Sequence, residues 1–124
     1  MIIIDAMNVR GARPDGWWRD KDGALRRLVE AVVAHDWGGE WVIVAADGRP
    51  IDGLGAGATG NVEVRYAGHS AADAADDLIV DIVSSEAPDD GAITVVTSDQ
   101  GLRDRLPAHV TTQGARTFRD HVGW

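Results

Sequence analysis

Carboxylates dominate the chemistry that this sequence can perform. Asp5 closes the apolar run MIII, Asp47 follows WVIVAA, and Asp99 stands two residues beyond ITVVT, behind Thr97 and Ser98. Four more aspartates, Asp73, Asp76, Asp77 and Asp81, crowd the stretch SAADAADDLIVDIV at 70–83. Oxygen ligands of this kind suit Mg²⁺ or Mn²⁺ and not zinc. There is no cysteine, so disulfides, thiolate catalysis and thiolate metal sites are excluded. The four histidines show no ligand spacing and read as structural.

The elements that must position these acids alternate between strand and helix signals. Residues 1–4, 41–46 and 93–97 are short, β-branched apolar runs, the pattern of strands buried on both faces. VEVRY at 62–66 alternates and suits a strand nearer an edge, and HVTT at 109–112 suits a last strand. Residues 22–36 form an amphipathic helix that Asp20 or Asp22 can cap. Further helices are expected over 70–86, 100–106 and 115–122, and the Gly-rich stretch 48–60 as a loop. This order predicts a mostly parallel sheet with helices on both faces. Ligands of such sheets bind beyond the carboxyl ends of the strands, where strand order reverses. Three strands would each deliver an aspartate to that rim. If the first strand neighbours 93–97, the two run roughly 5 Å apart, and Asp5 and Asp99 can share one ion.

On helix 70–86 the apolar face is Ala75, Leu78, Ile79, Ile82 and Val83, with Asp76 on one border and Asp81 near the other. The like-charged pairs 73/76, 73/77 and 77/81 should each cost about 0.2–0.5 kcal/mol, offset in part for Asp73 and Asp76 by the helix dipole, and a bound cation would remove the rest. Each acid also has a plainer reading. Ser70 to Asp73 resembles a capping box, Asp99 can cap the helix after it, Asp47-Gly48 is a natural turn, and Asp81 suits a solvated surface. Trp17-Trp18 either covers the core or offers a stacking surface.

At 124 residues with 44% hydrophobic content, the chain is expected to be one domain spanning 1–124. The start MIIID is too short for a signal peptide or a membrane span, so a soluble, cytoplasmic protein with no membrane partner is expected. The net charge of −8 argues on its face against a polyanion partner, although eleven of the twelve basic residues are arginine.

Four motifs together resemble the NYN domains, PIN-like ribonucleases. IIIDAMNVRG is similar to their opening motif and places Asp5 and Asn8. AADDLIVDIV is similar to their A-D-D-x-I helix and places Asp76 and Asp77. VVTSDQGLRDR resembles their V-T-S/N-D motif and places Ser98 and Asp99. VIVAADGRP resembles their second-strand motif and places Asp47, with Ala-Ala in place of the usual aromatic before it. The acid three residues before the A-D-D aspartate, here Asp73, is a mark of the YacP-like subgroup. The resemblance spans residues 1 to about 118.

The resemblance implies a PIN-like three-layer α/β/α sandwich and metal-dependent cleavage of single-stranded RNA leaving a 5′-phosphate. Asp5, Asp76 and Asp99 would form the core metal-binding set, completed by Asp73 and Asp77 directly or through water. Asn8 and Ser98 would orient the water, a ligand carboxylate or the phosphate, and Asp47 would stand at or behind the metal. Arg10, Arg13 and Arg49 lie just past the first two strands, where they would meet the RNA backbone. A protein or ribosome partner is left open. The alternative is a non-catalytic RNA-binding or adaptor NYN domain. A receiver domain would need a lysine after its last strand, and the only lysine is Lys21; a P-loop would need a Gly-rich loop after the first strand.

Overall fold

The computed structural model describes residues 1–86 and 91–124. Its strands are β1 (Ile2–Asp5), β2 (Val42–Ala46), β3 (Gly57–Thr59), β4 (Val62–Tyr66), β5 (Thr94–Val96) and β6 (Thr111–Gln113). Its helices are α1 (Ala6–Ala12), α2 (Lys21–Ala34), α3 (Ala74–Ser85), α4 (Gln100–Arg105) and α5 (Ala115–Val122), with one 3₁₀ turn at Trp17–Arg19. The six strands run in the order β3-β4-β2-β1-β5-β6, all parallel except β3 against β4. This is the expected α/β sandwich with a mostly parallel sheet.

The apolar runs are continuous because both faces of the sheet are covered. In β1, Ile4 turns to a core beneath α1, α2 and α5 that includes Val9, Leu28, Val44 and Phe118. Its neighbour Ile3 turns the other way, to a core beneath α3 and α4 that includes Ile43, Ile79, Val95 and Leu102. Every residue of β2 is buried, whereas β4 alternates as an edgeward strand does. Register sets Asp5 beside Ala45 and Ile4 beside Val96. The reversal of strand order therefore falls at the carboxyl end of β1, between β2 and β5.

Four expectations need correction. No helix was expected directly after the first strand, yet α1 starts there, with the Asp5 carboxylate accepting from Asn8 N. Only Ala6 and Val9 of its seven residues are buried, too short a pattern for periodicity to betray it. The stretch 48–60 is not all loop. It contains β3, an exposed Gly-Ala-Thr strand held only by pairing with β4. Gly60, at φ +59°, closes that two-residue hairpin. The helix expected from 70 begins at Ala74, and Ser70 does not cap it. Neither Trp17 nor Trp18 belongs to the two core clusters, so the pair does not cover the core.

Of the two candidate caps for α2, Asp20 serves, accepting from Gly23 N at 3.0 Å. A Cβ at position 23 would lie 2.2 Å from Asp20 Oδ2, so any other residue there would make the capping carboxylate shift. Among the described residues, no helix is long and apolar enough to cross a membrane.

Candidate functional site

A cavity of about 200 Å³ opens where the strand order reverses, lined by Asp5, Asn8, Asp47, Asp73, Asp76 and Asp99 with Met7, Ala72 and Ala75. Each acid arrives by a local rule. Asp5 is the last residue of β1 and the N-cap of α1. Asp99 ends the turn after β5 and caps α4, accepting from Leu102 N at 3.2 Å. Asp47 follows β2, and Gly48, at φ +71°, turns the chain away behind it. Asp73 occupies the N-cap position of α3 without a side-chain capping bond, so its carboxylate is left to the cavity. Asp76 sits half-buried one turn later.

Asp5 is 3% exposed, and its carboxyl is pushed up to about 6. Burial is the main cause, and the charges of Asp76 and Asp99 add to it. The opposing contribution comes from the Thr97 hydroxyl, which donates to Asp5 Oδ2 at 2.8 Å. Asp76 is also raised, by burial first and then by Asp99 and Asp73. Among the described residues, no arginine or lysine forms an ion pair with Asp5, Asp73, Asp76 or Asp99.

Thr97 was not singled out from the sequence. It is fully buried, and besides holding Asp5 its Oγ1 accepts from Asp99 N at 3.1 Å. One hydroxyl thus fixes Asp5 against Asp99. Its position at the end of a buried strand, two residues before the acid, was the available signal.

The other expected residues fall outside the cavity lining. Asp77 points outward and pairs with Arg105 at 2.8 Å. Ser98 braces the turn: its N donates to Asn8 Oδ1 at 2.8 Å, and its Oγ accepts from Ala115 N at 2.8 Å. Arg10 does not line the cavity but feels the charge of Asp47. Arg13 pairs with Asp15 at 3.4 Å, and Arg49 is exposed.

The donor set is all oxygen and anionic, which fits a hard divalent cation. Among the described residues, no three carboxylate or imidazole side chains stand close enough to enclose a metal between them. That spacing suits a cation that keeps several waters and takes one or two carboxylates directly, as Mg²⁺ does.

Fold and crevice together define a class: a three-layer α/β protein whose carboxylates gather at the reversal point of a parallel sheet. Within it, the chain is similar in fold to the crystal structure of Rae1 (YacP) from Bacillus subtilis. The TM-score is 0.72 at 20% identity, over 99% of this chain and 73% of that one. A point mutant of the same protein gives 0.76 at 20% identity, over 98% and 74%. No family model matches the sequence, and no curated protein matches it.

Proposed function

We propose that the protein is a divalent-metal-dependent ribonuclease of the NYN/PIN-like kind, with residues 1–124 acting as one domain on single-stranded RNA. The observation that carries this reading is the gathering of Asp5, Asp76 and Asp99 round one cavity, none of them in an ion pair among the described residues. The YacP-like fold and the four motifs support it.

In this reading Asp5, Asp76 and Asp99 would hold Mg²⁺ or Mn²⁺, one or two of them directly and the rest, with Asp73 and Asp47, through water. The cation, when bound, lowers the pKa of water and offsets charge on the phosphate. Thr97 ties the Asp5 carboxylate to the Asp99 backbone N–H through its two hydrogen bonds, and Leu102 N holds the Asp99 carboxylate. Asn8 lines the cavity with Oδ1 tied to Ser98 N, which leaves its amide NH₂ as a donor for a phosphate oxygen. Ser98 holds Asn8 in place. Arg10 lies beside the crevice, where it would meet the RNA backbone, and Asp77 stays outside.

The test is incubation of the purified protein with end-labelled single-stranded RNA in Mn²⁺, Mg²⁺ or EDTA. Cleavage in either metal, products with 5′-phosphates and none in EDTA are expected. The spacing of the carboxylates also favours a second reading, a non-catalytic RNA-binding or adaptor domain. RNA binding without metal-dependent cleavage selects that alternative.

A further inference from the structure

One face of this acidic protein is built unlike the rest. The net charge is −8, yet residues 10–21 carry Arg10, Arg13, Arg19 and Lys21 against Asp15 and Asp20. The guanidiniums lie over indoles: Arg10 is 5.1 Å from the Trp17 ring centroid and Arg19 is 5.9 Å from that of Trp18. Arg13 and Arg119 flank Trp124 at 4.6 and 5.9 Å. Backbone carbonyls pin two of these cations. Arg10 donates to Lys21 O at 3.2 Å and Arg119 to Ala12 O at 3.0 Å. Among the described residues, Arg10, Arg19 and Arg119 form no ion pair.

Trp18 is 57% exposed, the most of any large apolar side chain described. It stands edge-on to Trp17 at 6.1 Å and 87°. An indole left in water contributes little to folding. Arg10, Arg19 and Arg119, held on rings and in no ion pair among the described residues, keep their charge available. Cations for phosphates interleaved with a flat face for bases are what a single strand of nucleic acid requires. An acidic peptide or an anionic lipid would also use the charge and could cover the indole, but neither alternates phosphates with flat bases as a single strand does. The face also adjoins the crevice. Asp5 caps α1, and the helix carries Arg10 roughly 8 Å further along its axis.

We propose that Arg10, Trp17, Trp18 and Arg19, backed by Arg13 and Trp124, form a track for single-stranded RNA that holds the strand flanking the phosphate in the acidic crevice. A base stacks on Trp18, and Arg10 and Arg19 take the phosphates on either side of it. The direction of the strand into the crevice rests on the ribonuclease reading, whereas binding to the track does not.

The experiment measures binding of a short fluorescent oligoribonucleotide in EDTA, beside metal-dependent cleavage, for wild type, Trp18→Ala, Trp18→Phe and Arg19→Ala. Both side chains are exposed, so the variants should keep the wild-type melting temperature. Trp18→Ala should weaken binding about tenfold, and Trp18→Phe should restore most of it. Arg19→Ala should flatten the dependence of log affinity on log salt by about 0.7. The strand should quench indole emission in wild type and less in Trp18→Ala. In cleavage, Trp18→Ala should raise KM and leave kcat. Trp18-dependent binding without any cleavage would keep the track and remove the ribonuclease. Cleavage with unchanged binding and KM in both alanine variants would do the reverse. A wild type that does not bind the strand, or binds the matching duplex as tightly, also overturns the track.

Discussion

Asp76 and Asp77 are neighbours on one helix and live in opposite electrostatic conditions. Asp77 faces solvent, 56% exposed, and accepts from Arg105 at 2.8 Å. Further along α3, Glu86 meets Arg65, which also takes Glu63 at 2.7 Å. On the crevice side, Asp5, Asp73, Asp76 and Asp99 have no such partner among the described residues. Asp5 has only a hydroxyl and a backbone N–H, and its carboxyl rises to about 6. Of the eleven arginines, Arg13, Arg65 and Arg105 form ion pairs among the described residues, all with acids outside the cavity lining. Leaving the crevice acids without a cation costs stability, because their mutual repulsion and burial are not offset. Among the described residues, every ion pair goes to an acid outside the cavity lining, a contrast that supports the proposed place for a cation from solution.

The largest test of that contrast substitutes the two neighbours in turn. Asp76→Asn and Asp99→Asn each remove a ligand charge while nearly keeping shape, and RNA cleavage should fall on the order of a hundredfold or more. RNA binding in EDTA should persist or tighten, since a phosphate-repelling charge is gone. Asp77→Asn should leave cleavage within a few fold of wild type. Equal losses at 76 and 77 would erase the distinction between the two sides of α3. Equal cleavage by wild type and Asp99→Asn would mean that the activity belongs to a contaminant.

Next in size is the stability of the metal-free protein against pH. The Asp5 carboxyl titrates near 6 when folded and at 3.8 in the ordinary state. Below pH 3.8 it is protonated in both states and contributes nothing. Between 3.8 and 6 the folded state binds the proton better, so stability is lost as pH rises, by about 3 kcal/mol in all. Asp5→Asn removes that loss and keeps a good N-cap for α1. In EDTA the variant should therefore exceed wild type by up to about 3 kcal/mol at pH 8 and match it near pH 3.5. Urea denaturation at the two pH values reads the difference. A gain that does not depend on pH would show that the buried charge is not its source.

The sequence carried most of this frame and less of the detail. The runs at 1–4, 41–46 and 93–97 read as strands because both faces of the sheet are covered and every side chain must be apolar. Asp5, Asp47 and Asp99 could be placed on one rim because parallel strands end together. The helix α1 was hidden, since its carrier Asp5 is at once strand end, cap and cavity wall, and only two of its residues touch the core. The strand β3 was hidden because Gly57, Ala58 and Thr59 are exposed, and pairing with β4 alone makes them extended. Which of Asp76 and Asp77 faces inward was beyond the motif, which treats them as a pair. The apolar face of α3 decides it, as the periodicity indicated; what the sequence did not show is that Asp77 meets Arg105 from α4, 28 residues away.

Arg105 therefore offers the smallest and sharpest test. Its charge reaches beyond Asp77 to Asp76, whose carboxyl it helps to keep ionised, and it is also coupled to Asp73. The same positive charge must repel a cation entering the crevice. In wild type, millimolar Mn²⁺ should raise the melting temperature, because an ion that binds only the folded state stabilises it by mass action. Arg105→Gln removes the repulsion and leaves Asp77 ionised without a partner, adding negative potential near Asp76. Mn²⁺ should then bind a few-fold tighter, an effect limited by solvent screening and reduced further by added salt. In EDTA the melting temperature should hardly move, since an exposed ion pair contributes little. Titration calorimetry with Mn²⁺ at low and high salt measures both effects. Unchanged affinity would place the ion outside the field of Arg105. Weaker affinity would mean that the Asp77–Arg105 pair supports the site from outside, and the two flanks of α3 would have to be treated as one.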